Sequence, residues 1–331
     1  MAKKRIYLKD IAEESGFTIN TVSRALHNKK VISEPTRKKI QKIAAEMGYV
    51  PDALATSLRN GNSKTIGIVF DHLINPYYMI MTDLIHEFIK EAGYEVMIFT
   101  STNRNTMFEK DGFTKMISRR IDGIISYLKP TIDVVDSINA TGIPTIIFGR
   151  DCTDITLDFI NTDDFHGGYL MGEYFAKAGY KHVAYIGGPK EIDCSINRYR
   201  GLKESLKNTV NPLDENLVRY TDNSFSSLEN HVKHMVDNNA DAILCYNDYM
   251  AFEVMNYLSK MNLNVPEDIA IAGYDDLQET LKMPTKLTTI GTNKNILVKN
   301  VVDLLFKKIE NASTELKQET LPVYLVKGTT A

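Results

Sequence analysis

Two parts of this chain carry side chains that could recognise another molecule through hydrogen bonds. Near the start, Asn20 and Arg24 fall on one face of a short predicted helix. Asparagine can pair with two atoms of adenine and arginine with two atoms of guanine, so this face has the chemistry of base recognition. Further along, Asn247 and Asp275 each follow a predicted strand, and Arg198 precedes them. These residue types bind vicinal hydroxyls or a carboxylate in pairs.

Residue patterns typical of enzymes and metal sites are absent or incomplete. His231 and His234 lie three positions apart, but no third metal ligand has a matching position, so a solvent-facing helix explains them better. Asp275 and Asp276 could do acid/base work as a pair of carboxylates, yet no nucleophile accompanies them. The chain also lacks a phosphate loop and a Gly-x-Ser-x-Gly elbow. We therefore predict that the protein is not an enzyme and needs no metal or cofactor.

Composition limits the class of protein. The chain has 331 residues, 43% hydrophobic and 24% charged, which is typical of a soluble globular protein and excludes a mainly disordered chain or a small disulfide scaffold. Its three cysteines, Cys152, Cys194 and Cys245, are far apart and are expected to be apolar fillers in a reducing compartment. No apolar run approaches the ~18 residues of a membrane span, and the basic start lacks a signal-peptide core, so we expect a cytoplasmic protein.

Charge is distributed unevenly along the chain. Residues 1–60 hold 12 lysines and arginines against 6 acidic residues, whereas the remainder holds 27 against 36. A basic N-terminal part on an acidic body predicts that only the first part contacts a polyanion.

The basic part reads as three short helices. The first covers Leu8 to Ser15 and ends at Gly16; Thr18 is a good N-cap for the second, which runs to about Leu26. Ser33 is the expected cap of a third helix that ends at Gly48. Two short helices joined by a glycine-containing turn and supported by a third are typical of a helix-turn-helix. An eight-residue segment, 52–59, follows; it is helix-forming but too short to be stable without a packing partner.

From Thr65 the pattern changes to compact apolar runs separated by amphipathic stretches of about 10–18 residues. Strands without alternation, interleaved with helices, indicate parallel sheets covered on both faces. Their number predicts two doubly wound lobes with a break near Thr162–Asp164. The predicted strands are Ile66–Phe70, Val96–Phe99, Ile124–Tyr127, Thr145–Phe148, Val183–Ile186, Ala242–Tyr246, Ile269–Gly273 and a last one over Leu321–Val326.

These residues carry a family resemblance. The segment from Leu8 to Asn28, with its Thr-Val-Ser-Arg block, resembles the DNA-binding signature of LacI-type transcription regulators, and the resemblance covers essentially the whole chain. The body motifs that extend it are Asn75-Pro-Tyr-Tyr78, Asp122-Gly-Ile-Ile125, Ile186-Gly-Gly-Pro189, Arg198-Tyr-Arg-Gly201, Asn247-Asp248 and Gly273-Tyr-Asp-Asp276.

The resemblance implies an all-α helix-turn-helix head and an α/β body like that of periplasmic binding proteins, built from two doubly wound parallel-sheet lobes. The implied limits are 1–50 for the head, 51–63 for a hinge helix and linker, and 64–331 for an effector-binding and dimerisation body. Within the body, lobe one is expected at about 64–162 and 292–320, and lobe two at about 163–291 and 321–331.

For the head, the resemblance implies base contacts by Ile19, Asn20 and Arg24, and phosphate contacts by Thr18, Thr21 and Ser23. An ordinary solvated helix face is the alternative for Asn20 and Arg24. In the family, a hinge leucine wedges between base steps in the minor groove. Leu58 matches that leucine, with Ala55 and Arg59 in neighbouring groove contacts; a linker residue packed on the body is the alternative for Leu58.

For the body, the resemblance implies a small effector in the cleft between the lobes. The positions that match the family's binding residues are Asp71, Tyr77, Tyr78, Asp163, Arg198, Asn247 and Asp275. Alternatives from the residues themselves remain open: Arg198 and Asp275 as a structural ion pair, Asn247 as a helix cap, and Tyr77 as core filler.

The resemblance thus implies a homodimeric regulator, most simply a repressor, that binds a pseudo-palindromic DNA operator and responds to a sugar or related metabolite without contacting a membrane. The helices over Asn293–Lys308 and Tyr78–Ile89 are the expected dimer contacts. Two alternatives stay open: a global regulator whose body reads a phosphorylated partner protein, and a sugar-binding or sugar-modifying protein with a fused DNA-binding head.

Overall fold

The structure, a computed structural model, describes residues 6–50, 61–101, 106–222, 224–311 and 313–331. The chain divides into two compact units, Met1–Ser63 and Lys64–Ala331, which we call the head and the body. Residues 51–60, on which the predicted hinge helix falls, lie outside the described residues.

The head contains the three predicted helices. A left-handed conformation at Gly16, with φ of +75°, ends the first helix. The hydroxyl of Thr18 caps the second by accepting the backbone N–H of Thr21 at 3.2 Å, as predicted. Ser33 precedes the third helix, but its hydroxyl donates to the Thr36 side chain at 2.9 Å and not to the helix backbone. The helices are α1 (Leu8–Ser15), α2 (Ile19–Leu26) and α3 (Glu34–Glu46).

A small apolar core holds these helices together. Each helix contributes residues that water does not reach, and Phe17, in the turn, packs against the same cluster. Burial of this one stripe per helix fixes the face of α2 that points outwards. The core residues are Ile11, Val22, Ala25, Ile40 and Ala44.

The body alternates strands and helices. Its strands are β1 (Thr65–Phe70), β2 (Glu95–Thr100), β3 (Met107–Phe108), β4 (Gly123–Ser126), β5 (Lys129–Pro130), β6 (Thr145–Phe148), β7 (Asp158–Thr162), β8 (Val183–Gly187), β9 (Val218–Tyr220), β10 (Ala242–Cys245), β11 (Ala270–Ala272), β12 (Thr289–Gly291), β13 (Gln318–Leu321) and β14 (Tyr324–Val326). Its helices are α4 (Pro76–Glu91), α5 (Lys110–Ser118), α6 (Ile132–Thr141), α7 (Asp164–Ala178), α8 (Asp193–Leu206), α9 (Leu228–Asp237), α10 (Asp248–Lys260) and α11 (Lys294–Ile309).

Two parallel sheets form the centres of two lobes, which confirms the predicted doubly wound architecture. The first sheet has six strands in the order β13-β7-β6-β4-β1-β2, with α4 and α11 on one face and α5 and α6 on the other. The second has four strands in the order β11-β10-β8-β9, with α9 and α10 on one face and α7 and α8 on the other. The central strands of each sheet are therefore buried on both faces, which explains their apolar runs in the sequence, whereas the edge strand β2 is largely exposed.

The last predicted strand is wrong in its extent. The structure breaks the segment Leu321–Val326 at Pro322: β13 ends at Leu321, paired with β7 of the first sheet, and β14 pairs antiparallel with β12. Proline has no N–H to donate to a sheet, so it suits the point where the chain passes from one lobe to the other.

The two helices expected at the dimer contact, α4 and α11, pack on each other inside the first lobe. Met81 and Ile85 of α4 and Leu297 and Val301 of α11 are fully buried in one core cluster. Intramolecular packing therefore accounts for their apolar stripes. Their outward faces include Ile296, which is 51% exposed. That these faces form the dimer contact stays a prediction.

Among the described residues, no helix combines the length and the apolar character needed to cross a bilayer.

Candidate functional site

The second helix of the head presents the residues expected to read bases. Val22 and Ala25 are buried in the head core, whereas Ile19, Asn20 and Arg24 are exposed on the other side of α2. Ile19 is 51% exposed, which is unusual for an isoleucine in so small a domain and leaves its methyl groups available for apolar contact. The arrangement matches a recognition helix whose N-terminal half faces a DNA groove.

The three residues expected at phosphates differ in exposure. Thr18 and Thr21 lie at the start of α2 with their hydroxyls 3.0 Å apart, at a helix N-terminus that attracts anions. Ser23 is buried in the head and is the least accessible of the three. The phosphate contacts stay predictions. The hinge residues Ala55, Leu58 and Arg59 lie outside the described residues, so their roles stay predictions as well.

The body contains a cleft at the carboxyl ends of its strands. It contains about 660 Å³ of space not filled by atoms, a volume that includes open solvent. Five of the seven residues expected at the effector line it: Tyr77, Tyr78, Arg198, Asn247 and Asp275. The other lining residues are Asn75, Tyr127, Phe148, Gly149, Arg150, Thr162, Asp164, Cys194, Tyr246, Tyr274, Ile290, Gly291, Thr292 and Val323.

Arg198 is held rigidly on one wall of this cleft. Its Nε donates to the Asp164 carboxylate at 2.8 Å and its Nη1 to the carbonyl of Tyr246 at 2.6 Å. The guanidinium carbon stacks 3.6 Å from the ring centre of Tyr274. Nη2 lies 3.9 Å from the carboxylate of Asp275, so the ion pair with that residue is present but loose. Arg198 is therefore fixed before any ligand arrives, and over the described part of the chain its Nη2 has no partner closer than the Asp275 carboxylate.

The position of Arg198 depends on a close contact between α7 and α8. A Cβ on Gly168 of α7 would lie 2.0 Å from the carbonyl oxygen of Arg198, and one on Gly201 of α8 would lie 1.9 Å from that of Phe165. Only glycine permits this approach, because both contacts are with backbone atoms. The approach brings Asp164, the first residue of α7, within reach of Arg198. This explains the glycine three residues after the arginine in the sequence motif.

Asp275 has a strained backbone, with φ of +110°. It is the third residue after the end of β11, following Gly273 and Tyr274. Such conformations cost on the order of 1–3 kcal/mol in a non-glycine residue and occur at functional sites. Its N–H donates to the carbonyl of Ile290 at 2.8 Å, which fixes the turn to the crossing strand β12. Burial raises the pKa of its carboxyl from 3.8 to about 7, with Asp164 acting in the same direction and Arg198 and Lys294 opposing. Asp275 can therefore be either a donor or an acceptor near neutral pH.

Asp275 should give the protein a measurable pH dependence of stability. Its folded-state pKa is raised, so the folded protein binds more protons than the unfolded chain between about pH 4 and pH 7. The contribution of Asp275 is greatest at low pH and is lost as the pH rises to 7. We expect Asp275→Asn to gain roughly 2–3 kcal/mol relative to the wild type between pH 5 and pH 8. Urea unfolding at pH 5, 6, 7 and 8 measures this.

The control for this experiment is Asp136→Asn, since Asp136 is exposed on α6. Its stability difference from the wild type should stay flat over the same range. Equal pH profiles for Asp275→Asn and the wild type would contradict the buried, proton-binding state of Asp275.

Asn247 combines two of the roles considered for it. Its side-chain oxygen accepts the N–H of Met250 at 2.9 Å and so caps α10. The residue is 3% exposed and lines the cleft, which leaves its amide nitrogen as the group available to a ligand. The cap fixes the orientation of that donor.

Aromatic rings form the opposite wall of the cleft. Tyr78 stacks on Phe70 with ring centres 5.1 Å apart and meets Tyr127 edge-on at 5.2 Å. Tyr127 in turn contacts Phe148 at 4.8 Å, and Tyr77 lies beside Tyr78. Burial raises the pKa of each of the three tyrosines, so their phenols are neutral at physiological pH. A continuous aromatic surface of this kind suits the apolar face of a sugar ring.

Asp71 and Asp163, the other two residues expected at the effector, do not line the cleft. The carboxylate of Asp71 is buried; it accepts the N–H of His72 at 2.9 Å and lies 3.7 Å from the Nε2 of the same residue. The carboxylate of Asp163 caps α7 by accepting the N–H of His166 at 2.8 Å. Both side chains are occupied by local structure, and the next residue, Asp164, faces the cleft instead.

The sequence missed several cleft residues, most notably Arg150, Asp164, Tyr246 and Tyr274. Two of them directly precede residues that were expected there, Asn247 and Asp275, and so follow the same strand ends. Arg150 also follows a predicted strand, after Gly149. The rule that ligands bind at the carboxyl ends of parallel strands could therefore have found these three.

The two histidines considered as metal ligands have structural partners. His231 Nε2 lies 3.0 Å from the carbonyl of Tyr220, and His234 Nε2 lies 2.9 Å from that of Asn216. Over the part of the chain that the structure describes, no group of three or more His, Cys, Asp or Glu residues is placed to hold a metal ion.

Comparison with known proteins covers both units. A family model described as "Periplasmic binding proteins and sugar binding domain of LacI family" matches residues 63–329. Another, described as "Bacterial regulatory proteins, lacI family", matches residues 7–52.

Individual proteins match over nearly their full length. The sucrose operon repressor of Pediococcus pentosaceus is 28% identical, with 98% of this chain and 99% of the relative covered. The HTH-type transcriptional repressor PurR of Pasteurella multocida (strain Pm70) is 27% identical, with 93% of each covered. Among solved structures, the lac repressor dimer bound to operator and the anti-inducer ONPF superposes with a TM-score of 0.82, at 25% identity and with 99% of each chain covered.

Proposed function

Since the chain belongs to the LacI family of bacterial regulatory proteins, we propose that it is a homodimeric repressor that binds an operator through its head and a small effector in the cleft of its body. The observation that carries this proposal is the combination, in one chain, of an exposed recognition face on α2 and a buried polar cleft between two lobes. The relatives named above are repressors, and the lac repressor structure is a dimer on its operator.

In the head, we propose that Asn20 and Arg24 read base edges while Ile19 contacts a thymine methyl group. Thr18, Thr21 and Ser23 would contact phosphates, and Ala55, Leu58 and Arg59 would enter the minor groove. A dimer places two heads on two half-sites, so the operator is expected to be a pseudo-palindrome.

In the body, we propose that the effector is a sugar or a related polar metabolite. The family model that covers the body names a sugar-binding domain. The cleft supports this with its aromatic wall and with the fixed guanidinium of Arg198 on the opposite wall.

We propose that the two lobes transmit the effect of the bound effector to the DNA-binding head. An effector that contacts Arg198 and Asp275 on one wall and the tyrosines on the other favours one angle between the lobes. We propose that this angle alters the dimer contact and hence the affinity for DNA, for which a coupling of about 1–3 kcal/mol suffices. We also propose that the cleft binds its ligand without transforming it, because the Asp164 carboxylate is committed to Arg198.

The DNA-binding proposal is tested by selection from random double-stranded DNA with the purified full-length protein. We expect enrichment of a pseudo-palindrome with two related half-sites. Arg24→Ala should then bind the selected sequence at least about tenfold more weakly, since one bidentate base contact contributes about 1–3 kcal/mol. Arg119→Ala, at an exposed arginine of the body, is the control and should bind normally. Enrichment of no sequence, or normal binding by Arg24→Ala, would refute this assignment.

A further inference from the structure

Arg150 is a second buried arginine in the cleft, and it comes from the lobe opposite Arg198. It follows β6 after Gly149, whose φ of +70° turns the chain towards the cleft. Arg150 is only 5% exposed, and its Nε donates to the carbonyl of Tyr127 at 2.8 Å. This bond uses one of five N–H donors and fixes the direction of the guanidinium.

The charge of Arg150 has no acidic partner among the described residues. Arg198, the comparable residue, has one carboxylate at 2.8 Å and another at 3.9 Å. Among the described residues, no carboxylate lies within 4 Å of Arg150, and its two terminal nitrogens make no hydrogen bond. A buried guanidinium without a partner is costly, so its persistence needs an explanation.

Two acidic residues whose charges interact with Arg150 already contact other groups. Asp71 accepts the N–H of His72 at 2.9 Å and lies 3.7 Å from the Nε2 of the same residue. Asp193 lies 3.9 Å from the ammonium of Lys129. Both are close enough to influence Arg150 but not to pair with it. The other groups around it, Tyr78, Tyr246 and Cys194, are neutral, so the place beside the guanidinium is open to an anion.

We infer that the terminal nitrogens of Arg150 bind an anionic group of the effector, a carboxylate or a phosphate. The planar fork of arginine matches both groups with two parallel hydrogen bonds. This inference rests on the proposed function, since it assumes that the cleft is the effector site, and it narrows the effector from sugars in general to acidic sugars. An anion bound to Arg150 would contact the first lobe, whereas Arg198 belongs to the second.

Inorganic phosphate is the first probe. The melting temperature of the full-length protein is measured with increasing phosphate at constant ionic strength, for the wild type, Arg150→Gln, Arg150→Lys and the exposed control Arg119→Gln. Phosphate stabilises proteins in general, so the difference between variants is the readout. At about ten times Kd we expect an extra rise on the order of 2 °C in the wild type and the control, less in Arg150→Lys and none in Arg150→Gln. Equal rises in all four proteins would overturn the inference.

Glucose, glucose 6-phosphate and glucuronate then separate the two sources of the anion. Stronger binding of glucose 6-phosphate assigns a phosphate, and stronger binding of glucuronate assigns a carboxylate; in either case Arg150→Gln should lose about tenfold or more in affinity. If glucose alone binds, equally to wild type and Arg150→Gln, the inference is wrong. In that case, a neutral sugar that still releases the protein from the selected operator would support the proposed function. Failure of the inference about Arg150 can therefore be distinguished from failure of the proposed function.

Discussion

Replacing Arg198 with alanine is expected to lower the free energy of unfolding by about 3–5 kcal/mol, the usual cost of removing one partner of a buried ion pair. The substitution leaves Asp164 and Asp275 buried without their cation and the carbonyl of Tyr246 without its donor. It also removes the stacking on Tyr274. Urea unfolding at pH 7 measures the loss, and the effector response should disappear with it.

The matched control is Arg200→Ala, two residues along the same helix. Arg200 is exposed, with only a long hydrogen bond of 3.5 Å to Asn197, and its loss should change stability by no more than about 0.5 kcal/mol. Arg198→Lys keeps the charge but loses the second hydrogen bond of the fork, so we expect an intermediate stability. If Arg198→Ala unfolds at the same urea concentration as the wild type, the ion pair does not support the cleft.

The second large effect is expected from Gly201→Ala. The new Cβ would lie 1.9 Å from the carbonyl oxygen of Phe165 and 2.7 Å from the backbone nitrogen of Tyr169, so α7 and α8 must move apart. Overpacking against backbone atoms cannot be relieved by a side-chain rotation, and we expect a loss of about 3 kcal/mol. The movement also separates Arg198 from Asp164. Thermal and urea unfolding measure the loss of stability.

Gly112→Ala provides the comparison for this glycine. Gly112 lies inside α5, where a Cβ would meet only the Phe108 ring at 3.4 Å. Alanine favours a helix over glycine by roughly 1 kcal/mol, so this variant should be as stable as the wild type or slightly more stable. Equal losses in Gly112→Ala and Gly201→Ala would show that the close helix contact is not the cause.

The sequence by itself determined the architecture, because its signals are local. The head helices could be bounded from Gly16 and Thr18, since a left-handed stop and a hydroxyl cap act within a few residues. The apolar runs predicted the central strands of both sheets, because strands buried on both faces need no polar residues. Asn247 and Asp275 could be placed in the cleft for a similar reason: each follows a strand, and the carboxyl ends of parallel strands meet at one edge.

Strands with few apolar residues were missed. β7 has two apolar residues, Phe159 and Ile160, and β13 has one, Leu321; their pairing joins segments about 160 positions apart in the chain. The strand break at Pro322 could be predicted locally, because proline has no N–H to donate. That the chain passes from one lobe to the other at this point depends on the fold of the whole body.

Only the tertiary structure decided which polar side chains face the cleft. Asp163 and Asp164 are adjacent and chemically identical, yet the first caps α7 and the second binds Arg198, 34 residues away. Asp163 occupies the N-cap position of α7, and the close glycine contact between α7 and α8 brings Asp164 beside Arg198. Among the described residues, Arg150 has a partner for one nitrogen and none for its charge, a property that depends on neighbours from both lobes.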